Sequence, residues 1–456
     1  MNILLINPWI TDFAAHDFWI KPLGLLYVGA FLKKRGHNVS LIDCMDRFLP
    51  GSGIEFEHDI RRYNTGKFHR EIIPKPECLN NVPRYFCRYG IPTERFMELL
   101  ADTCKPDVIL VTSIMTYWYH GVFEAIEFVR RHFPGVPVVL GGIYARLCEK
   151  HAREKSGADV VITTNLPSGQ VDIIESTYGI YSDISEISDT FSGWPEPLWE
   201  LYGNLITASV LTTRGCPFNC TVCASKLLFN GFERRDPLNA AGEITGLAER
   251  GVMDIAFCDD ALLINTKTHA VPLFEAVADS GTGARFHTPN GLHVREITPE
   301  LAKLMKKAGF VTIRLSLETA SQDRSSDFSD KVSRDEFRAA AKALYEAGFD
   351  TGNVGAYIMA GLPGQEPEEV YDSVRFANNA GVTVKPALFS PVPGTVEFDR
   401  AVTAGIISPE SDPVLHNKSL RTVDYFKGGY EGYKEFKRFV SEGNERVIDK
   451  FQKKEQ

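Results

Sequence analysis

The chain has 456 residues, 44% of them apolar and 24% charged, so it carries enough apolar side chain to bury the core of two or three domains. A net charge of −9, from 50 Lys and Arg against 59 Asp and Glu, disfavours a dedicated nucleic-acid-binding protein, whose affinity depends on neutralising phosphates. The first residues lack the pattern of a signal peptide, and no apolar run approaches the ~18 to 20 residues that span a bilayer. We therefore expect a soluble cytoplasmic protein that makes no membrane contact.

Residues 1–165 alternate short apolar strands with helices. Strands that are apolar throughout and separated by helices indicate a parallel sheet covered on both faces, which binds ligands beyond the carboxyl ends of its strands. We predict a Rossmann-like domain over 1–165. The strands are expected at Ile3–Ile6, Val39–Ile42, Val108–Thr112, Val138–Leu140 and Val160–Thr163, with helices at Gly24–Leu32 and Val122–Arg131.

Two segments interrupt this alternation. Residues 48–105 form an insertion rich in Arg, Tyr and Phe that is too long for a plain connection. It is either a lid over a substrate or a subdomain packed onto the sheet. Residues 166–205 are rich in Ser, Gly, Asp and Pro and are predicted to be a linker.

A second alternating region follows over residues 206–397. Six strand–helix units in this length favour a partial barrel of parallel strands. Residues 398–456 are predicted to be a helical extension. The six strands are expected at Ala208–Thr212, Ile255–Phe257, Arg285–His287, Thr312–Leu317, Val354–Met359 and Val384–Leu388.

Three cysteines lie in a Gly- and Pro-containing loop directly after the first of these strands. Cys216, Cys220 and Cys223 have the spacing C-x3-C-x2-C, which lets three thiolates bind three corners of a cubane iron–sulfur cluster. With no fourth cysteine nearby, one iron would be open to a small molecule. Zinc is the first alternative but favours a second ligand pair, which is absent here. The second alternative is that these are core cysteines, as we expect for the other six.

This motif resembles that of the radical S-adenosylmethionine (SAM) superfamily. The resemblance implies a partial (β/α)6 barrel with a [4Fe–4S] cluster whose open iron is chelated by the amino and carboxylate groups of SAM. One-electron reduction then cleaves SAM to methionine and a 5′-deoxyadenosyl radical, which abstracts hydrogen from a substrate. The hard chemistry would belong to the cofactors, and the protein would bind and orient them.

The resemblance also implies SAM contacts at five further positions. Asp259 and Asp260 follow the second strand, where the family contacts the SAM amino group; helix capping is the alternative role. Glu318 follows the fourth strand and would bind the ribose, or else form a surface ion pair. Gly361 lies in the turn beside the adenine. Val222 stands before the third cysteine, where the family usually has an aromatic residue, so adenine packing would be reduced there.

A Rossmann-like domain before such a barrel resembles the cobalamin-binding subfamily. The loops containing Asn7, Gly24, Ser113 and Gly141-Gly142 lie where that subfamily meets the corrin. The Asp-x-His-x-x-Gly motif that supplies an axial His in other cobalamin proteins is absent. His37 is expected to end a helix and not to bind metal.

The leading hypothesis is therefore a radical SAM enzyme, with cobalamin-dependent methylation or rearrangement of an unactivated carbon. Its partners would be a small-molecule substrate and an external one-electron donor of flavodoxin or ferredoxin type. Two alternatives stay open: radical SAM chemistry without cobalamin, and a non-catalytic iron–sulfur sensor. Modification of tRNA is a minor alternative that the acidic composition disfavours.

Overall fold

The computed structural model describes residues 1–50, 60–179, 190–329 and 332–455. The chain forms two compact units. Unit 1 comprises Met1–Asn80, Arg84–Ala208 and Asp412–His416, and unit 2 comprises Asn81–Pro83, Ser209–Ser411 and Asn417–Gln456. Across the described parts of the chain, none of the helices has the length and apolar character needed to cross a membrane.

Unit 1 contains a five-stranded parallel sheet in the order β5-β4-β3-β1-β2. The order of the strands reverses between β1 and β3, since β2 is added on one side of β1 and β3 on the other. Parallel α/β sheets of this order bind ligands at that switch point. The Rossmann-like part of the predicted fold class is confirmed. The strands are β1 (Asn2–Asn7), β2 (Asn38–Asp43), β3 (Val108–Val111), β4 (Val138–Leu140) and β5 (Val160–Val161).

Helices cover this sheet and supply half of its core. Helix α1 buries Leu25, Phe31 and Leu32. It ends after Lys33 and Lys34, whose positive charges are favourable at a helix carboxyl terminus. The helices of unit 1 are α1 (Leu23–Lys34), α2 (Thr93–Asp102), α3 (Tyr119–His132), α4 (Ile143–Leu147), α5 (Glu149–Lys155) and α6 (Pro167–Thr177).

Helix α6 lies inside the segment predicted to be a linker. Its Val171 and Ile174 belong to the apolar core of unit 1. A spacing of three residues places both on one face of a helix, but the Ser and Gly around them hid this pattern. Residues 180–189 of the predicted linker lie outside the described residues.

The aromatic-rich insertion packs onto unit 1 through most of its rings. Phe68 and Phe86 are buried, and Arg84 donates from Nη2 to the carbonyl of Phe13 at 2.9 Å. Tyr85 is the exception, with 69% of its surface exposed. These contacts agree with the packing alternative for the insertion, and residues 51–59 lie outside the described residues.

Unit 2 is built on a seven-stranded parallel sheet, in which six strands are neighbours in chain order and the short strand Leu292–His293 pairs with the fourth of them. This order and the helices between the strands confirm the partial barrel of the predicted fold class. The six strands are β6 (Thr207–Val210), β7 (Asp254–Phe257), β8 (Arg285–His287), β9 (Phe310–Glu318), β10 (Val354–Ala360) and β11 (Thr383–Leu388).

Helices cover one face of this sheet, and aromatic rings pack there. On the helix-covered face, Phe257, Phe286 and Phe310 pack together with Phe274 of the helix Ala270–Ser280.

Nine helices flank or follow the strands among the described residues. They are α7 (Ser225–Leu228), α8 (Pro237–Glu249), α9 (Ala270–Ser280), α10 (Pro299–Ala308), α11 (Arg334–Glu346), α12 (Pro367–Asn379), α13 (Val396–Thr403), α14 (Arg421–Asp424) and α15 (Tyr430–Glu455).

The helical extension covers the edge of the last strand. Asn444 of α15 accepts a hydrogen bond from the amide of Val384 at 2.7 Å and donates one to its carbonyl at 3.0 Å. The side-chain amide thus replaces one residue of a neighbouring strand, which protects an edge that would otherwise pair with other chains.

Candidate cluster and cofactor sites

The three-cysteine loop begins at the carboxyl end of β6. Gly215 has φ 76°, a conformation that favours glycine, and turns the chain into the loop. Cys216 and Cys220 are buried and Cys223 is exposed. Two of the three cysteines are therefore buried in unit 2, and the third lies at its surface.

Two distant segments hold this loop through Thr221, the residue after Cys220. The Thr221 amide donates to the carbonyl of Asp327 at 2.8 Å, and its hydroxyl donates to Oε1 of Glu397 at 2.9 Å. The Glu397 amide in turn donates to the Thr221 carbonyl at 3.1 Å. Glu397, on α13, is fully buried and pairs with Arg400 at 2.6 Å. Sequence reasoning missed this anchor, because nothing in the local pattern around Glu397 links it to a loop 176 residues away.

The three thiols lie close enough to influence one another. The loop desolvates the Cys223 sulfur and, with Asp260, Cys220 and Cys216 nearby, raises its thiol pKa to about 11. The Ser225 amide donates to the same sulfur at 3.4 Å. Among the described residues, no three His, Cys, Asp or Glu side chains form a cage for a single metal ion. A cluster has a different requirement, since each thiolate binds its own iron, and three soft donors on one loop fit it.

The aspartates after β7 have different surroundings. Asp259 is buried, and its Oδ1 accepts hydrogen bonds from the Thr212 amide at 2.9 Å, the Thr212 hydroxyl at 2.8 Å and the Thr213 amide. Burial raises its pKa to about 6, against the lowering effect of these hydrogen bonds. Asp260 is exposed and accepts a bond from the Ser225 hydroxyl at 2.7 Å. Asp259 therefore supports the start of the cluster loop through Oδ1, while its Oδ2 is buried without a hydrogen-bond partner among the described residues. Asp260 is exposed beside the loop, and the SAM contacts assigned to both residues remain predictions.

Cys258, between β7 and these aspartates, is not a fourth ligand in this arrangement. Its thiol hydrogen-bonds to Ser209, and burial raises the thiol pKa to about 12. Cys44 and Cys87 are buried as expected, but Cys78 and Cys104 are exposed. For these last two, the prediction of a core position is wrong.

Glu318 ends β9 in an unusual backbone conformation. Its φ is 62°, in the left-handed region that costs a residue with a side chain ~1–2 kcal/mol. The register of β9 against β10 shifts between Ser316 and Glu318, which turns the carboxylate at the strand end. Strain of this kind concentrates at functional sites, and the ribose contact assigned to Glu318 remains a prediction.

Gly361 and Val222 are the two positions predicted to lie beside the adenine. Gly361 has φ 88°, and a Cβ there would lie 3.1 Å from Cγ of Arg421. Its amide donates to Oε1 of Gln365 at 2.9 Å, so the turn requires this glycine without a ligand. Val222 is half-buried. The adenine contacts assigned to Gly361 and Val222 remain predictions.

A cavity of about 80 Å³ lies in unit 1 at the carboxyl ends of β3 and β4. Gly24 and Gly141 both line it. A Cβ at Gly24 would have no neighbour within 4 Å, and one at Gly141 would meet only Oε1 of Gln170 at 3.9 Å. This open backbone allows a ligand to approach the main chain closely, and a cavity of this size admits only an edge of a large planar group. Gly142 differs, because its φ of 96° and the adjacent Ser113 main chain explain it by the turn alone.

Three histidines of unit 1 contact other side chains. His37 lies after α1, as predicted, with Nε2 at 2.8 Å from Oε1 of Glu175. His416 is buried, with Nδ1 at 3.0 Å from the Thr116 hydroxyl, and burial lowers its pKa to about 4. His151 Nδ1 lies 2.7 Å from the Tyr144 hydroxyl.

Two family models match the chain. The radical SAM superfamily model matches residues 210–377, and the B12-binding domain model matches residues 84–165. Cytidylyl-2-hydroxyethylphosphonate methyltransferase from Streptomyces wedmorensis is 22% identical, over 94% of this chain and 85% of the relative. Anaerobic magnesium-protoporphyrin IX monomethyl ester cyclase from Cereibacter sphaeroides is 27% identical, over 75% of this chain and 61% of the relative.

A solved structure shares the fold. The radical SAM methyltransferase TsrM from Kitasatospora setae, with cobalamin and a [4Fe–4S] cluster bound, superposes with a TM-score of 0.65 at 16% identity. The match covers 93% of this chain and 85% of that one. The radical SAM match implies a [4Fe–4S] cluster and SAM as cofactors, and the B12-binding match implies cobalamin. The chain therefore carries a B12-binding domain followed by a radical SAM domain.

Proposed function

We propose that this enzyme methylates an unactivated carbon of a small molecule, with cobalamin carrying the methyl group. The observation that carries the proposal is the combination, on one chain, of a three-cysteine loop at the end of β6 and a glycine-lined cavity at the strand ends of a B12-binding domain. A non-catalytic sensor would need the cysteines but not the second of these features.

Each chain element has a role in this proposal. Cys216, Cys220 and Cys223 bind three irons of the cluster, which supplies the electron that cleaves SAM. Asp260, exposed beside the loop, binds the SAM amino group, because a carboxylate only accepts hydrogen bonds and complements an ammonium. Glu318 binds the ribose, and Asp259 positions the loop. The electron comes from an external donor of flavodoxin or ferredoxin type.

Replacing hydrogen by methyl on such a carbon needs two molecules of SAM and two electrons, and both electrons come from the external donor. One accepts the hydrogen atom and leaves as 5′-deoxyadenosine and methionine, and the other supplies the methyl group and leaves as S-adenosylhomocysteine. The relatives support methylation: one is named for methylating a cytidylyl phosphonate, and one solved relative holds tryptophan as its substrate. Another relative is named as a cyclase, so the second candidate is a radical reaction without methyl transfer, which forms no S-adenosylhomocysteine.

The test compares two glycines of unit 1 that have open space at Cβ, Gly24 and Gly203. Only Gly24 lines the cavity. Gly24→Val is expected to lower the affinity for hydroxocobalamin at least tenfold, and Gly203→Val to leave it unchanged. Ultraviolet–visible titration of the anaerobically reconstituted protein measures both. Failure of the unsubstituted protein to bind hydroxocobalamin, with SAM cleavage intact, would leave only the cobalamin-free alternative.

A further inference from the structure

Polar side chains form two rows across the face of the unit 2 sheet that the helices do not cover. In parallel strands, residues in register share a face. Ser316, Tyr357 and Lys385 are in register across β9, β10 and β11, as are Arg314, Gly355 and Thr383 one row below. The upper row adjoins the end of β9, where Glu318 lies.

Arg314 and Lys385 bring two positive charges to this face. Arg314 is half-buried, and its Nη1 donates to the carbonyls of Ile313 and Asn353, both at 3.0 Å. Lys385 is exposed. In the part of the chain that the structure describes, neither forms an ion pair with a carboxylate. The contrast is with Arg285 on the same sheet, which binds Asp254 through two hydrogen bonds of 2.7 Å.

The two charges act on each other. Although the Lys385 side chain is exposed, the protein around it partly desolvates the ammonium and, with Arg314 nearby, lowers its pKa. Burial lowers the pKa of Arg314. Two like charges in a partly desolvated site are unfavourable unless an anion compensates them. An anion that bound both would relieve this repulsion.

The Arg314 guanidinium lies against the main chain of Gly355, its neighbour in register. A Cβ at Gly355 would lie 3.5 Å from Nη1 of Arg314 and 3.2 Å from the Thr383 hydroxyl, so any side chain there would crowd the guanidinium. Tyr357, in the upper row, is held by a hydrogen bond of 2.6 Å from its hydroxyl to the Pro289 carbonyl.

We propose that Arg314 and Lys385 bind an oxyanion of the substrate, a carboxylate or a phosphoryl or phosphonate group, on the open face of unit 2. This inference rests on the proposed function. Arg314 would bind two oxygens of the anion through its remaining N–H groups, and Lys385 would act as a point charge. The anion would lie below Glu318, so that the rest of the substrate extends towards the strand ends where SAM binds.

The experiment measures binding of two simple probes, phenylphosphonate and benzoate, to the reconstituted holoenzyme by isothermal titration calorimetry. The variants are Arg314→Met and Lys385→Met. The control is Lys303→Met, which removes an exposed charge on α10. We expect each site variant to raise the Kd of the preferred probe by about fivefold or more, since charge-assisted hydrogen bonds are lost. The control should leave it unchanged, and the preferred probe identifies the type of oxyanion.

Two outcomes would overturn the inference: binding of neither probe to the unsubstituted enzyme, or equal binding to all variants. If Arg314→Met lowers the melting temperature, Lys385→Met alone decides, because Lys385 is exposed. Formation of 5′-deoxyadenosine and S-adenosylhomocysteine is measured separately with the unsubstituted enzyme. Their absence would refute the proposed function, whereas normal SAM cleavage with unaltered probe binding in the variants would refute only the oxyanion site.

Discussion

Asp259 and Thr212 join the ends of two neighbouring strands, since one carboxylate oxygen accepts both the amide and the hydroxyl of Thr212, at 2.9 and 2.8 Å. Asp259 is buried and makes this contact through Oδ1. Asp260 is exposed beside the same loop. The two adjacent aspartates should therefore respond differently to the same substitution.

Asp259→Asn should destabilise the protein by roughly 1–3 kcal/mol, because an amide oxygen is a weaker acceptor for three donors than a carboxylate is. It should also lower the iron content after reconstitution. Asp260→Asn should leave the melting temperature unchanged and raise the Kd for SAM about tenfold. Thermal unfolding and SAM titration measure these effects, and equal effects of the two substitutions on stability would refute the division of roles.

The cluster ligands are tested by replacing each cysteine of the loop with serine. Cys216→Ser, Cys220→Ser and Cys223→Ser should each remove most of the cluster absorbance, because soft thiolate ligands cannot be replaced by a hydroxyl. Cys78→Ser is the matched control, since Cys78 is also a free cysteine but lies in unit 1 and is exposed. A cluster retained in any loop variant would remove that residue from the ligand set.

Glu318→Gly should separate strain from binding. Glycine adopts the φ of 62° without a steric penalty, so the free energy of unfolding should rise by about 1 kcal/mol. The affinity for SAM should fall, since the carboxylate is lost. A variant that is less stable than the unsubstituted protein, or that binds SAM equally well, would contradict the assignment of Glu318 as a strained ligand-binding residue.

Acidification should destabilise unit 1 through His416. Burial lowers its pKa to about 4, so below pH ~6.5 the unfolded chain binds a proton that the folded chain does not. Stability attributable to His416 is complete above this pH, and about 2 kcal/mol of it should be lost by pH 5. The fall in melting temperature from pH 7 to pH 5 should be smaller in His416→Gln than in the unsubstituted protein. His132→Gln is the control and should show the full fall.

Local sequence patterns could predict the strands and the cluster motif. Apolar runs such as Val108–Val111 become fully buried strands, and the cysteine spacing lies within one loop. Helix α6 escaped detection because only Val171 and Ile174 mark its apolar face. Contacts over long sequence separation carry no local signal, and this is why the Glu397 anchor of the cluster loop and the different roles of Asp259 and Asp260 emerge only in the structure.

The role of the three-cysteine loop in SAM cleavage is tested most directly by the formation of 5′-deoxyadenosine. The anaerobically reconstituted enzyme is reduced with dithionite and incubated with SAM, and the product is quantified against the Cys216→Ser variant. We expect 5′-deoxyadenosine from the unsubstituted enzyme and none from the variant. An intact cluster that forms no 5′-deoxyadenosine would contradict the assignment of this chain as an enzyme that cleaves SAM.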